Sequence, residues 1–359
     1  SHAFHLDLMR GIRQKNFWIM EQLSGVVGSW MPMGRLPQPG MLKGYSLQAI
    51  AHGADAVLHF RWRTAVSGAE MYWHGILDHS NVPGRRYQEF QELCREVSAL
   101  QELDGSVTQN RVAVLYSSEQ EYAFKLQHQS EGIYYFEQLK FLHDAFTCLG
   151  IGVDIINWRE DISSYDIVAA PNLMIVDAVV TEQLYHFAEK GGVVILTNRS
   201  GVKEENNQCI MSQLPTVFSD LAGVRVTEYD PLGNDWQKLM IQDTAWKTDL
   251  EHWKQRLGKT DSPVGETECT RWCDLLETTT AEVLAQYDEN FYRGTAAVTR
   301  NQYGNGEAYY LGTVLTREAY IALAEKILQG RGMLYQRELP LGIEITQRKG
   351  NGKCWSFLF

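Results

Sequence analysis

Apolar residues in the first hundred positions occur in short runs that are separated by polar, glycine-containing segments. One run, at residues 17–22, ends in Glu21-Gln22, and another, at residues 54–60, leads into Arg61. Continuous apolar runs of this length are typical of strands buried in a parallel sheet. Three-to-four spacing of apolar residues predicts helices at 1–15, 41–52 and 83–103. The alternation of helices and strands predicts a piece of a β/α barrel.

A turn at residues 104–106 separates this part from a second series of elements. Short apolar runs predict strands at 111–116, 152–156, 165–170 and 192–197. Helical periodicity appears at 133–149 and 181–190, whereas the stretch between the first strand and the first helix is polar and is interpreted as a loop. Strands that alternate with helices predict an open parallel sheet of flavodoxin-like type.

The last part of the chain carries further strand patterns and two turn signals. Strands are predicted at 281–287, 296–300 and 307–313, with a glycine-rich turn at 301–306 and a closing helix at 317–329. The polar, Trp-containing stretch at 234–259 has no assignable periodicity. Residues 342–348 and 353–359 flank a Lys-Gly-Asn-Gly turn and predict a β-hairpin, which is marginally stable alone.

Composition and charge exclude several classes of partner. The chain of 359 residues is 44% hydrophobic and 21% charged, with room for two or three domains. A net charge of −11 argues against nucleic acid, whose phosphates need a basic surface. No apolar run reaches the length of a membrane span, so no membrane partner is predicted. Six cysteines are too few for a disulfide scaffold and show no zinc spacing, which indicates reduced thiols in a cytoplasmic protein.

Glu21 is the first candidate for chemistry. In β/α folds the carboxyl ends of strands are where side chains meet ligands, so a carboxylate there is a candidate catalytic group. The alternative is a Glu that pairs with a nearby Arg and only fixes the end of the strand. The loop that follows is rich in Gly and Pro and carries Trp30, and the loop after residues 54–60 carries Glu70 and His74. Alone, Trp30 and His74 are more often packing residues, but together they favour a sugar pocket.

These residues also resemble a known family. The segments FWIMEQ (17–22), SWMP (29–32), QAIAHGAD (48–55), FRWR (60–63) and GAEMYWHGILD (68–78) are similar to the last two strand units of the family 42 glycoside hydrolases, the multidomain bacterial β-galactosidases. The segment AVTRNQYGNGEAYYLGT, at residues 297–313, extends the resemblance over nearly the whole chain.

The resemblance implies a fold and domain boundaries. Residues 1–105 would be the C-terminal part of a TIM (β/α)8 barrel, and 106–333 a domain similar to class I glutamine amidotransferases through which the subunits form a homotrimer. Residues 334–359 would begin a small C-terminal β-domain. The strand ends of the middle part show no nucleophilic Cys, G-x-S-x-G elbow or G-x-G-x-x-G loop, so an assembly role is favoured over a second active site.

The resemblance also implies an activity. It makes Glu21 the nucleophile of a retaining β-galactosidase and places Trp30, Phe60, Glu70 and His74 around the galactose. No cofactor and no metal ligand are predicted among these 359 residues. The acid/base Glu, carried in the family by an Asn-Glu pair on an earlier strand, has no counterpart here, because about six strand–helix units, on the order of 190 residues, are not in this sequence. Alone, the chain is therefore expected to be inactive. The alternative hypothesis is a truncated or split, non-catalytic chain that acts as an oligomerisation module.

Overall fold

The computed structural model describes residues 2–29 and 31–359. It divides into two compact units: unit 1 is Ser1–Gln109 together with Glu344–Phe359, and unit 2 is Asn110–Ile343. Among the described residues, no helix is long and apolar enough to cross a membrane.

The helices and strands follow one another in mixed order along the chain. The helices are α1 (His2–Gly11), α2 (Met41–Ala51), α3 (Arg85–Ala99), α4 (Ser118–Leu126), α5 (Tyr135–Thr147), α6 (Ala178–Glu189), α7 (Ser219–Ala222), α8 (Thr244–Leu257) and α9 (Arg317–Gly330). The strands are β1 (Phe17–Leu23), β2 (Ala54–Phe60), β3 (Val107–Thr108), β4 (Val112–Tyr116), β5 (Val153–Asn157), β6 (Ile167–Ala170), β7 (Val193–Thr197), β8 (Val224–Ile241), β9 (Glu266–Thr278), β10 (Glu282–Tyr287), β11 (Ala296–Tyr303), β12 (Gly306–Leu311), β13 (Thr313–Leu315), β14 (Ile345–Gly350) and β15 (Lys353–Leu358).

In unit 1, β1 and β2 form a parallel pair covered on one face by helices. The core contains Leu6 of α1 and Ala49 of α2, against which Phe17 and Ile19 of β1 pack. These elements confirm the helices and strands predicted for this part of the chain.

The prediction that β1 is a buried strand is wrong for this structure. Its burial alternates, and Trp18 and Met20 are 63% and 66% exposed. The physical reason is that β1 pairs with β2 in a two-stranded sheet, and within the described part of the chain no second layer covers the other face.

The C-terminal hairpin of β14 and β15 belongs to unit 1 and is extended by β3 into a three-stranded sheet. The Arg348 side chain is 2% exposed and donates hydrogen bonds to the carbonyl oxygens of Ile50 and Ser106, both at 2.9 Å. It also forms an ion pair with Asp55 at 3.1 Å. The predicted hairpin is therefore confirmed, and it is part of a larger sheet. The predicted start of a C-terminal β-domain at residue 334 stays a prediction.

Unit 2, all of whose residues are described, is built on a ten-stranded mixed sheet with the order β13-β9-β8-β10-β11-β12-β7-β6-β4-β5. The strands from β5 to β12 run parallel, and those from β12 to β13 are antiparallel neighbours. The predicted open parallel sheet is thus correct for one half only. In the other half neighbouring strands are antiparallel; the chain passes from β8 to β9 through α8 and from β11 to β12 through a tight turn.

Several elements of unit 2, among them α4, β8, α8 and β9, were not predicted from the sequence. The predicted polar loop after β4 contains α4, which begins where the Ser117 hydroxyl accepts a hydrogen bond from the Gln120 backbone N–H at 3.2 Å. The stretch at 234–259 contains the end of β8 and all of α8, whose Trp246 and Trp253 are wholly buried.

Candidate active site

The carboxyl ends of β1 and β2 lie side by side, because the strands are parallel and Leu23 pairs with Phe60. Glu21 lies two residues before the end of β1, where the register shifts, and it is exposed. Within residues 2–29 and 31–359 its carboxylate takes part in no ion pair, and the role of Glu21 stays a prediction.

Phe60 is the centre of a cluster at the end of β2. The Arg61 guanidinium lies 4.0 Å from the centroid of the Phe60 ring, and the Trp73 ring meets the same ring edge-on at 6.0 Å. The Phe60–Arg61 peptide bond is cis. Arg61 also forms an ion pair with the carboxylate of Glu70, so one side chain joins the aromatic face to the candidate carboxylate.

The loop after β2 turns back on itself and brings distant residues to this end of the sheet. The backbone N–H of Ile76 donates to Arg61 O at 2.8 Å, and that of Leu77 donates to Trp62 O at 2.9 Å. Gly75 permits this approach, since a Cβ there would lie only 2.6 Å from Arg61 O. The loop is therefore a closed, hydrogen-bonded structure that holds its side chains in fixed places.

His74 connects this loop to the one that follows β1. Its backbone N–H donates to Val26 O at 2.9 Å, and a Cβ at Gly25 would lie 3.0 Å from the His74 Cβ. Burial, and then the positive charge of Arg86, hold the pKa of His74 below its usual value. At neutral pH the imidazole is therefore uncharged and can both donate and accept a hydrogen bond.

Four of the five predicted site residues thus belong to one end of unit 1. Phe60 and Glu70 are joined through Arg61, His74 is fixed to the loop after β1, and Glu21 is placed with them by the parallel pairing. The fifth, Trp30, lies outside the described residues.

Sequence reasoning did not give a role to Arg61. The sequence does show an Arg directly after the last residue of β2 and nine positions before Glu70. Its ion pair with Glu70, however, forms only because the loop turns back on itself. The described residues include no group of three or more His, Cys, Asp or Glu side chains suited to holding a metal ion.

At the equivalent edge of unit 2, one crevice holds a buried glutamine side chain. Between the ends of β4 and β6, the wholly buried Gln120 donates to Ile175 O at 2.7 Å and accepts from the Ile175 N–H at 2.8 Å. Gln120 therefore fills the crevice where ligands bind in many open parallel sheets.

Two family models match the chain. The model described as "Beta-galactosidase" matches residues 1–100, and the model described as "Beta-galactosidase trimerisation domain" matches residues 110–333. The chain belongs to glycoside hydrolase family 42. The family 42 resemblance in the sequence motifs is thereby confirmed.

Curated relatives agree with the family 42 assignment. The chain is 53% identical over 355 residues to the β-galactosidase BgaA of Clostridium cellulovorans. This match covers 98% of this chain and 51% of the relative. It is 31% identical over 353 residues to the β-galactosidase Pbg of Clostridium perfringens, covering 96% of this chain and 49% of the relative. The chain spans about half the length of the curated relatives it matches.

Solved structures show the same partial coverage. A β-galactosidase from Bacillus circulans sp. alkalophilus superposes with a TM-score of 0.90 at 29% identity, over 99% of this chain and 51% of that structure. A β-galactosidase from Rahnella sp. R3 superposes with a TM-score of 0.89 at 28% identity, over 99% of this chain and 51% of that structure. The mixed α/β fold of both units is therefore shared with family 42 enzymes.

Proposed function

We propose that the protein is a retaining β-galactosidase that hydrolyses terminal β-D-galactosides, with Glu21 as its nucleophile. One observation carries the proposal: an exposed carboxylate stands at the carboxyl end of β1 in a family 42 chain. Catalytic groups of β/α barrels come from the carboxyl ends of their strands. The relatives named above are β-galactosidases, and this activity is extended to the present chain as part of the proposal.

The proposed mechanism uses two carboxyl groups roughly 5 Å apart. The Glu21 carboxylate attacks the anomeric carbon while the glycosidic C–O bond breaks and the second group gives its proton to the leaving oxygen. That group then takes a proton from water, and the water oxygen displaces Glu21 from the anomeric carbon. Because the relatives are about twice as long, we assign the acid/base carboxyl to a part of the protein outside residues 1–359.

The other residues are assigned to substrate binding. The Phe60 ring offers an apolar face for the C–H side of a sugar, and Glu70, held by Arg61, can accept hydrogen bonds from its hydroxyls. The uncharged His74 can accept from one hydroxyl and donate to another. Trp30 is assigned to the same pocket by the family resemblance alone.

Glu21→Gln in the complete protein tests the assignment. The amide cannot form the glycosyl ester, so kcat should fall by several orders of magnitude while the melting temperature is retained. Added azide should restore part of the activity by taking the place of the nucleophile. Glu92→Gln, on the exposed surface of α3, is the matched control and should leave activity unchanged. A loss of less than about tenfold in Glu21→Gln, roughly 1.4 kcal/mol of barrier, would refute the assignment.

A second function, assembly, is favoured by the family model that matches residues 110–333. We propose that residues 1–105 are the last units of a β/α barrel and that residues 106–333, an amidotransferase-like domain, join three copies into a ring. A closed ring needs one surface patch to meet a different patch on the next copy, and a stable interface buries more than about 1,000 Å².

Light scattering of the 359-residue chain at micromolar concentration tests assembly, with an expected mass three times that of the monomer. The mass should not change on dilution over the micromolar range. A monomeric mass would contradict the assembly proposal and leave the assignment of Glu21 untouched.

A further inference from the structure

Two positively charged side chains, Arg199 and Lys203, are buried together in unit 2 without a carboxylate partner. Both follow β7, at the carboxyl edge of the parallel strands, and they are 8% and 4% exposed. The Lys203 ammonium donates to the side-chain oxygens of Gln127 and Asn207. The Arg199 guanidinium donates twice to Gln129 Oε1, at 3.0 and 2.6 Å.

The acceptors are all neutral amides, and in the described part of the chain neither cation forms an ion pair. Gln127 and Gln129 are two residues apart in one loop. Burial lowers the pKa of Lys203; the neighbouring Cys209 raises this pKa, and the charge of Arg199, which is close enough to act on Lys203, lowers it. Burying charge without a counter-charge is costly, so this arrangement lacks an anion.

One buried carboxylate, Asp274, lies close to Arg199. It is 1% exposed and accepts hydrogen bonds from Trp272 Nε1 at 2.7 Å and the Tyr310 hydroxyl at 2.8 Å. From Arg199 it accepts only the backbone N–H, at 3.4 Å; burial raises the pKa of Asp274, and the Trp272 hydrogen bond and the Arg199 charge offset this in part. It therefore does not offer a free anionic group to the guanidinium.

The Arg199 side chain is held in place by aromatic rings and by an unusual backbone conformation. Its guanidinium lies 4.6 Å from the Trp272 ring centroid and 5.1 Å from that of Tyr229, which is half exposed. Its φ of 64° is in the left-handed region, which a long side chain seldom adopts. Such conformations cluster at functional sites. Immediately before it, the side-chain Nδ2 of the wholly buried Asn198 has no hydrogen-bond partner among the described residues.

We propose that Arg199 and Lys203 bind a small oxyanion, a carboxylate or a phosphate, at the carboxyl edge of the parallel strands of unit 2. Arg and Lys together suit such groups, since the guanidinium offers a planar fork of donors and the ammonium a compact charge. The proposal does not depend on the galactosidase assignment, because it uses none of the residues of unit 1.

Titration of the 359-residue chain with inorganic phosphate, at constant ionic strength maintained with chloride, tests the proposal. Calorimetry should show one saturable site per chain, and the unfolding midpoint should rise with phosphate concentration by mass action. Lys203→Met and Arg199→Gln should each weaken phosphate binding by about tenfold or more, since each removes a charge-assisted hydrogen bond. Lys259→Met, on an exposed lysine of the same unit, is the control and should bind like the wild type.

The oxyanion that Arg199 and Lys203 bind could also be a carboxylate on a second copy of the chain. In that case phosphate should compete with self-association, and light scattering would show a mass that falls as phosphate is added. A free anion should bind without any change in mass. Absence of saturable binding by the wild type, or equal binding by the wild type and both variants, would overturn the proposal.

Discussion

At the residue scale, the contact with the clearest consequence is that of Arg61 with Phe60 and Glu70. The Glu70 side chain is 40% exposed, and an ion pair of this kind contributes at most about 1 kcal/mol to stability. Arg61 stacked on an aromatic ring has little freedom, however, and its fork of donors fixes the direction of the carboxylate. Its effect is therefore on the orientation of Glu70.

Arg61→Met in the complete protein is expected to raise KM for galactosides and lower kcat/KM by about tenfold, because Glu70 loses its orientation. The melting temperature should change little. Arg61→Lys should recover only part of the loss, since it keeps the charge but not the fork. The control is Arg95→Met on the exposed face of α3. Steady-state kinetics that match the wild type in Arg61→Met would show that Arg61 does not position Glu70.

The candidate site could be predicted from the sequence only as far as local pattern reaches. Glu21 is predicted from its place at a strand end, whereas Phe60, Glu70 and His74 are predicted from their match to the family motifs. The contact of Arg61 with Glu70 could not be predicted, because it depends on the loop closing at Gly75. The exposure of Glu21 depends on which strands surround β1, which the apolar run does not specify.

At the scale of elements, α8 and α9 enclose two carboxylates and one arginine. Arg337 pairs with Asp249 on α8 and, at 2.5 Å, with Glu325 on α9. The buried Glu325 also accepts a hydrogen bond from Trp253 Nε1 at 2.8 Å. Burial, and then the charge of Glu325, raise the pKa of Asp249 to about 6, and Arg337 offsets this only in part.

This pKa predicts how stability depends on pH. The folded chain holds the Asp249 proton more tightly than the unfolded chain, so unit 2 should lose stability as pH rises from about 4 to about 6. Asp249→Asn mimics the protonated acid and should remove this loss, which makes the variant more stable than the wild type at pH 7.5 by about 1–3 kcal/mol.

Denaturant unfolding at pH 4.5 and pH 7.5 measures the effect. The difference between Asp249→Asn and the wild type should grow with pH, whereas exposed Asp261→Asn should show no such trend. If Asp249→Asn is less stable than the wild type at pH 7.5, the charged form of Asp249 stabilises the helix pair and the predicted sign is wrong.

Element prediction succeeded where one face of an element is strongly apolar and failed where burial is sparse. In α4 only Gln120, Ala123 and Phe124 are buried, so its sequence resembles a loop. In β8, long stretches are exposed and the register with β9 shifts three times, which breaks the two-residue alternation. The apolar runs of β10, β11 and β12 do not specify the direction of the neighbouring strand, so pattern alone did not separate the parallel half of the sheet from the antiparallel half.

At the scale of the whole molecule, the chain corresponds to about half of each relative, and its two units carry different parts of the proposed function. Unit 1 holds the candidate nucleophile and sugar-binding residues, whereas unit 2 holds the part matched to a trimerisation domain. The proposed mechanism needs a second carboxyl group that we assign outside these residues.

The 359-residue chain alone is therefore expected not to hydrolyse lactose, because general acid catalysis contributes about 10²- to 10⁴-fold and the sugar pocket would lack its other walls. Hydrolysis of an activated aryl galactoside depends less on the general acid than hydrolysis of lactose does, because its leaving group needs little protonation. Release of glucose from lactose at a rate ordinary for a glycosidase would contradict this expectation and would place the acid/base group within the chain.

The position of the C-terminal hairpin has a consequence for how the protein is made. Unit 1 is interrupted in sequence by the whole of unit 2, and the Arg348 side chain reaches acceptors that the ribosome released far earlier, at Ile50 and Ser106. Unit 2 is continuous in sequence. The hydrogen bonds from Arg348 to Ile50 and Ser106 can therefore form only after the whole of unit 2 has been synthesised, so unit 1 is completed after unit 2.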